Sequence, residues 1–263
     1  MEIATIAMRR LVLWNTRNPE PVELSMTPDE RLAAIRDRPL QDSPEDDAAR
    51  RARALATAMV ADLVARGSAR TALGAGDRAP PFTLCDAAGR RRSLAALLVD
   101  GPLVLSFFRG DWCPYCREDL AALRGAAELI RGAGGVPVAI SPQRSAVNAA
   151  TVRRFGLDFP VLSDPGNVIA DAFGLRFAMP EALVALYRER FATDFAAVNG
   201  DDSGTLPMPA TFVIGRDQRI RYAELNPDYT RRTDVPTLIP VVRRFAGVQK
   251  GTAKHKVLAC SPL

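Results

Sequence analysis

Two cysteines, Cys113 and Cys116, stand two residues apart in "DWCPYCREDL" and are the side chains of this sequence best suited to chemistry. They fall where an apolar run, residues 103–108, gives way to a helical pattern that begins near Cys113. The amino end of a helix carries unpaired N–H groups and the positive end of the helix dipole, so a thiol placed there ionises more readily than a free one. Arg109 and Arg117 flank the pair and add positive charge. Cys116 lies within one helical turn of Cys113, close enough for the two sulfurs to join with little backbone movement. The spacing therefore suits a nucleophilic thiolate beside a partner that captures its oxidised product.

Other chemistries fit less well. One C-x-x-C supplies two metal ligands where zinc generally takes four, and the single histidine, His255, sits far away in the tail. Cys85 and Cys260 would complete a four-cysteine site only if both folded onto the pair. A c-type haem would need histidine where Arg117 stands. No metal and no organic cofactor is expected. An inert buried pair is the bland alternative, and Trp112 before Cys113, Pro114 after it and the strand-to-helix setting speak against it. The scarcity of histidine excludes most histidine-dependent catalysis. "GAGG" follows a helix instead of opening one, so it ends that helix, and the acids of "NGDDSG" form a turn. Cys85, on a predicted strand, reads as a small core residue.

The chain has 263 residues and a net charge of +5, with arginines interleaved among acids in "DDAARRARAL" and "YRERFATDF". That pattern is a solvated surface with mild attraction for anions, and no nucleic-acid partner is expected. No apolar run approaches the roughly 18 residues of a membrane span. Arg9 and Arg10 split the first apolar stretch, which argues against a secretory signal and makes a cytoplasmic location the default expectation.

The elements that position the cysteines can be read in outline. "SPEDDAARRARALATAMVADLVARG" offers Ser43 as N-cap, proline at the first helical position, and Leu55, Met59 and Leu63 on one face, a helix over about residues 43–66 within an N-terminal extension, 1–72. A hairpin around Gly89 opens the domain expected over 73–247, followed by buried strands at 103–108 and 136–140, a helix at 145–155 and a short strand in "DFPVLSD". A helical insertion falls near 176–205, strands at 210–214 and 219–225 close the sheet, and a last helix is shortened or kinked by Pro240. Residues 248–263 form a loose basic tail. Alternating strands and helices describe an α/β three-layer fold, a central mixed β-sheet with helices on both faces.

With these pieces in order, the chain resembles the thioredoxin-fold superfamily and, more narrowly, the peroxiredoxin-like branch of the alkyl hydroperoxide reductase and thiol-specific antioxidant family. The matching segments include "GDRAPPFTLCDAAGRRRSL", "FFRGDWCPYCREDL", "VAISPQ", "FPVLSDPGNVIADAFGL" and "MPATFVI", within about residues 45–246. The resemblance implies thiol-dependent reduction of hydrogen peroxide or organic hydroperoxides, with thioredoxin or another dithiol as reductant, and is compatible with a homodimer. It implies that Pro209, ahead of Ala210 and Thr211, is the cis-proline that packs on the active-site disulfide. Usual members carry threonine three residues before the attacking cysteine, which here is Cys113, and that register makes Cys116 the attacker. Thioredoxins attack with the first cysteine of the pair, and exposure at the helix end also favours Cys113. The assignment stays open at this stage. The later arginine of peroxiredoxins aligns with Pro209, so Arg109 is the candidate to replace it. A protein disulfide reductase and a non-enzymatic redox sensor are the alternatives to a peroxidase.

Overall fold

The computed structural model of the chain describes residues 27–37 and 44–247. Ser43, the first 26 residues and the tail with His255 and Cys260 lie outside the described residues. Helix α1 (Pro28–Arg36) opens in a capping box: Thr27 Oγ1 accepts from the Glu30 amide at 3.3 Å, and the Glu30 carboxylate accepts from the Thr27 amide at 2.6 Å. Helix α2 (Pro44–Ala65) follows. The remaining elements run β1 (Thr83–Asp86), β2 (Arg91–Ser93), α3 (Leu94–Leu97), β3 (Leu103–Phe107), α4 (Pro114–Gly132), β4 (Val136–Ser141), α5 (Ser145–Phe155) and β5 (Val161–Ser163). Beyond them come α6 (Val168–Ala172), β6 (Arg176–Ala178), α7 (Glu181–Arg190), α8 (Phe195–Asn199), β7 (Thr205–Pro207), β8 (Ala210–Ile214), β9 (Ile220–Leu225) and α9 (Ile239–Ala246).

Seven strands form one mixed sheet in the order β2-β1-β5-β4-β3-β8-β9. β4 pairs in parallel with β3 and β5, and the other neighbours are antiparallel. Every side chain of β3 is buried, because helices cover both faces. Leu103, Leu105 and Phe107 point into one core with Met59 and Leu63 of α2, while Val104 points into the other with Leu120, Leu123 and Ile130 of α4. The rings of Phe107, Phe173 and Phe212 meet at centroid distances of 5.0–6.0 Å and fill the first core beneath the end of β3. Burying each such ring contributes about 1.5–3 kcal/mol, which makes this end of the strand a rigid platform.

The stretch expected as a helical insertion contains more than helix. β6 and β7 form a separate antiparallel pair, and α8, capped by Asp194 accepting from the Ala196 amide at 3.0 Å, follows α7. These strands are three residues each, too short for a sequence period to show. Pro240 falls in the first turn of α9, where its missing N–H costs nothing, and the helix is short as expected. No described helix is long and apolar enough to cross a membrane.

Candidate functional site

The loop between β3 and α4 is fixed from both sides. The Asp111 amide donates to Gln143 Oε1 at 3.0 Å, and the Asp111 carbonyl accepts from Arg117 Nε. Gln143 is fully buried and in turn donates through Nε2 to Asn148 Oδ1 at 2.9 Å. Asn148 donates to the Leu162 carbonyl and to Ser163 Oγ, so α5 and β5 hold the loop from behind. Gly110 has φ +152°, and a Cβ there would stand 2.2 Å from Trp112 Nε1. Only glycine fits that close approach.

Cys113 is the N-cap of α4, with Pro114 at the first helical position and the Cys113 amide bonded back to the Gly110 carbonyl at 3.2 Å. Cys116, in the same first turn, has its thiol against the Cys113 sulfur. Arg109 Nη2 donates to Cys113 Sγ at 2.9 Å. The Arg109 guanidinium is 3% exposed, lies 3.8 Å from the Tyr229 ring centroid and 5.3 Å from that of Trp112, and stays charged because the two sulfurs outweigh its burial. Burial alone would raise the Cys113 thiol, yet the Cys116 thiol and the charges of Arg109 and Arg232 bring it well below its ordinary value. Cys116 moves the opposite way: burial, and the neighbouring Cys113 anion, push it well above. The pair thus differs in acidity, with Cys113 the more acidic sulfur and Cys116 the less.

A second charged group sits behind Cys116. Arg232, from the loop after β9, brings Nη2 to 3.5 Å of Cys116 Sγ and Nε to 3.5 Å of Asp119 Oδ2. Both side chains of that ion pair are at most 7% exposed. Burial pushes the Asp119 carboxyl up to about 7 against the pull of Arg232. A pocket of about 20 Å³, room for about one water, opens between Asp119, Pro209, Thr211, Glu224, Arg231 and Arg232.

Of the residues singled out in the sequence, Cys113, Cys116, Arg109, Trp112 and Pro114 meet at this loop, while Pro209 and Thr211 line the pocket on the Arg232 side. Pro209 departs from expectation: no described peptide bond is cis. The preceding Met208 amide donates to the Leu175 carbonyl at 2.8 Å, and the chain passes in extended form from β7 into β8. Exposure at the helix end does not single out Cys113 either, since its side chain is 1% exposed beneath residues that include Tyr115 and Trp112. Cys85 is half-buried on β1 and disulfide-bonded, not a plain core thiol. Arg232, Asp119 and Tyr229 were not found from sequence. Asp119 had one signal, its place one turn after Cys116 on the same helix face.

The AhpC/TSA family model matches residues 75–223. The chain is 29% identical over 207 residues to the chloroplastic peroxiredoxin Q of Oryza sativa subsp. japonica, covering 76% of this chain and 84% of the relative. It is 35% identical over 142 residues to the chloroplastic peroxiredoxin Q of Sedum lineare, covering 54% and 63%. Among solved structures, the peroxidoxin BcpB of Mycobacterium tuberculosis superposes with a TM-score of 0.51 at 23% identity, over 65% of this chain and 97% of that one, a likeness of fold.

Proposed function

The chain belongs to the AhpC/TSA family and is a thiol peroxidase oxidoreductase, and from that premise we propose that it reduces hydrogen peroxide or organic hydroperoxides through a Cys113–Cys116 dithiol–disulfide cycle. The observation that carries this reading is the Arg109 contact, which supports Cys113 as the more acidic sulfur and the attacker, with Cys116 as its resolving partner. The Cys113 thiolate attacks one peroxide oxygen. The O–O bond breaks, the leaving oxygen departs as water or an alcohol after taking a proton, and Cys113 becomes a sulfenic acid. Arg109 Nε is buried without a hydrogen-bond partner and is available to a peroxide oxygen, the task that the family's later arginine has elsewhere. Cys116 then displaces water from Cys113, and a dithiol such as thioredoxin returns two electrons and two protons. Among the described residues no cluster of three or more acidic, histidine or cysteine side chains could hold a metal, and the cycle calls for none.

Protein disulfide reduction is the second reading, favoured by activation of the first cysteine of the pair. Against it stands burial, because a sulfur 1% exposed admits a peroxide far more easily than a folded protein's disulfide. Stopped-flow oxidation of the reduced protein decides between them. The peroxidase reading expects peroxide to oxidise the enzyme much faster than free cysteine, with sulfenic acid trapped at Cys113 in Cys116→Ser and none formed in Cys113→Ser. A rate like that of free cysteine, together with rapid reduction of insulin disulfides, would overturn it.

A further inference from the structure

Cys113 has its own arginine, yet a second buried arginine reaches the other sulfur. Arg232 arrives from a segment 116 residues further along the chain and places Nη2 on Cys116 Sγ at 3.5 Å. Its head is immobilised: Nη1 donates to the Tyr229 and Arg231 carbonyls, and Nε faces Asp119 Oδ2. Asp119, three residues after Cys116, shares its helix face, so one turn of α4 carries both the resolving sulfur and the anion that holds its arginine. The pocket of about 20 Å³ beside Asp119 and Arg232 lies on this side of the dithiol.

We infer that Arg232, positioned by Asp119, is the residue that prepares Cys116 for resolution, donating to its sulfur as the Cys116 proton leaves and the S–S bond to Cys113 forms. The inference rests on the two-cysteine cycle proposed above. In that step the Cys116 S–H and Cys113 S–O bonds break, the S–S bond forms, and hydroxide leaves with the released proton as one water. No other reactant enters. Once Cys113 is a sulfenic acid its negative charge is gone, but burial still opposes ionisation of Cys116, so a cation on that sulfur favours the thiolate that attacks. Arg232 also bears on Cys113, though less than Arg109 does. The groups facing Asp119 are Arg232 and Arg231 from the loop, Glu224 from β9 and Cys116 from its own helix. The carboxylate opposes ionisation of Cys116, so the arginine's effect depends on whether Asp119 is charged.

The test mixes the reduced full-length protein with hydrogen peroxide, quenches at intervals, and follows Cys113 sulfenic acid and the disulfide separately by mass spectrometry. Arg232→Met should let sulfenic acid accumulate, with disulfide formation roughly tenfold to a hundredfold slower, as expected for loss of a hydrogen bond from a charged donor, and attack changed far less. Arg232→Lys should recover part of the rate. Asp119→Asn should move the pH midpoint of disulfide formation downward, since the opposing anion is gone; a merely structural loss would lower the rate at every pH without moving the midpoint. Because one buried partner alone leaves an uncompensated group, the double variant Asp119→Leu with Arg232→Met guards against misfolding and should resolve as slowly as Arg232→Met. Wild-type resolution rates in a folded double variant, or attack and resolution slowed equally in Arg232→Met, overturn the inference while leaving the cycle standing. A wild-type protein that forms no disulfide at all overturns both.

Discussion

Replacing Arg109 by methionine should return the Cys113 thiol toward its ordinary titration range and slow its reaction with peroxide at neutral pH. At the observed 2.9 Å, a cation and a thiolate attract by about 6 kcal/mol if the effective dielectric constant is about 20. Much of that is offset by removing both groups from water, and a hydrogen bond to a charged partner leaves a net of about 1.5–3 kcal/mol. At about 1.4 kcal/mol per pKa unit, the thiol should rise by about 1–2 units, which lowers the reactive fraction about tenfold to a hundredfold below the new midpoint. Methionine keeps much of the apolar packing against Tyr229 and Trp112, so the change reports charge more than volume. The assay is the ultraviolet absorbance of the thiolate across pH, in parallel with the peroxide rate constant from stopped flow. The curve should be displaced to higher pH, and the rate should recover as pH rises. A plateau that stays lower measures the separate loss of Arg109 Nε as a peroxide contact. If the thiolate midpoint does not move, or the rate falls by one factor at every pH, the electrostatic assignment of Cys113 as attacker is wrong.

Gly110→Ala places a methyl 2.2 Å from Trp112 Nε1 and should cut the peroxide rate at least as much as it lowers stability, seen by comparing kinetics with the thermal midpoint. Asn148→Ala removes the buried bonds to the Leu162 carbonyl and Ser163 Oγ and from Ser141 Oγ and the Gln143 amide, and at about 0.5–1.5 kcal/mol net for each should destabilise by about 2–6 kcal/mol in urea unfolding. Asp119, raised from an ordinary carboxyl value to about 7, contributes stability below its unfolded pKa that is lost as pH rises through about 7. Asp119→Asn should therefore gain relative to wild type between about pH 4 and about pH 8, by up to about 4 kcal/mol; no relative gain in urea midpoints across that range would refute the raised value.

Local signals carried the sequence reading where structure is local. β3 is legible because residues buried on both faces leave an unbroken apolar run, and the start of α4 is legible because Pro114 follows Cys113 at a strand end. The face of α2 was visible in Leu55, Met59 and Leu63, which pack into the core as spaced. Contacts across the chain were not. Arg232 and Tyr229 lie in a loop without periodicity, and nothing in their neighbourhood announces that they close over α4. Burial of Cys113 was missed for a related reason: besides its chain neighbours Trp112 and Tyr115, the apolar cluster it belongs to draws on Val235, Leu238 and Tyr229 from a distant segment. Pro209 failed differently: the resemblance carried over a backbone conformation that this chain, tied at Met208 to Leu175, does not adopt.

The clamp on the Asp111 peptide bears on what would survive transplantation. Gln143 and Arg117 grip that peptide through the side chains of a different segment and of the helix itself, and Arg109 reaches the sulfur from the strand side. A short peptide carrying "WCPYC", or the same five letters grafted onto another strand–helix junction, would keep two sulfurs and lose the scaffold that separates their acidities. It should behave as an ordinary dithiol, which means that reactivity here belongs to the junction as a whole and is not portable with the motif.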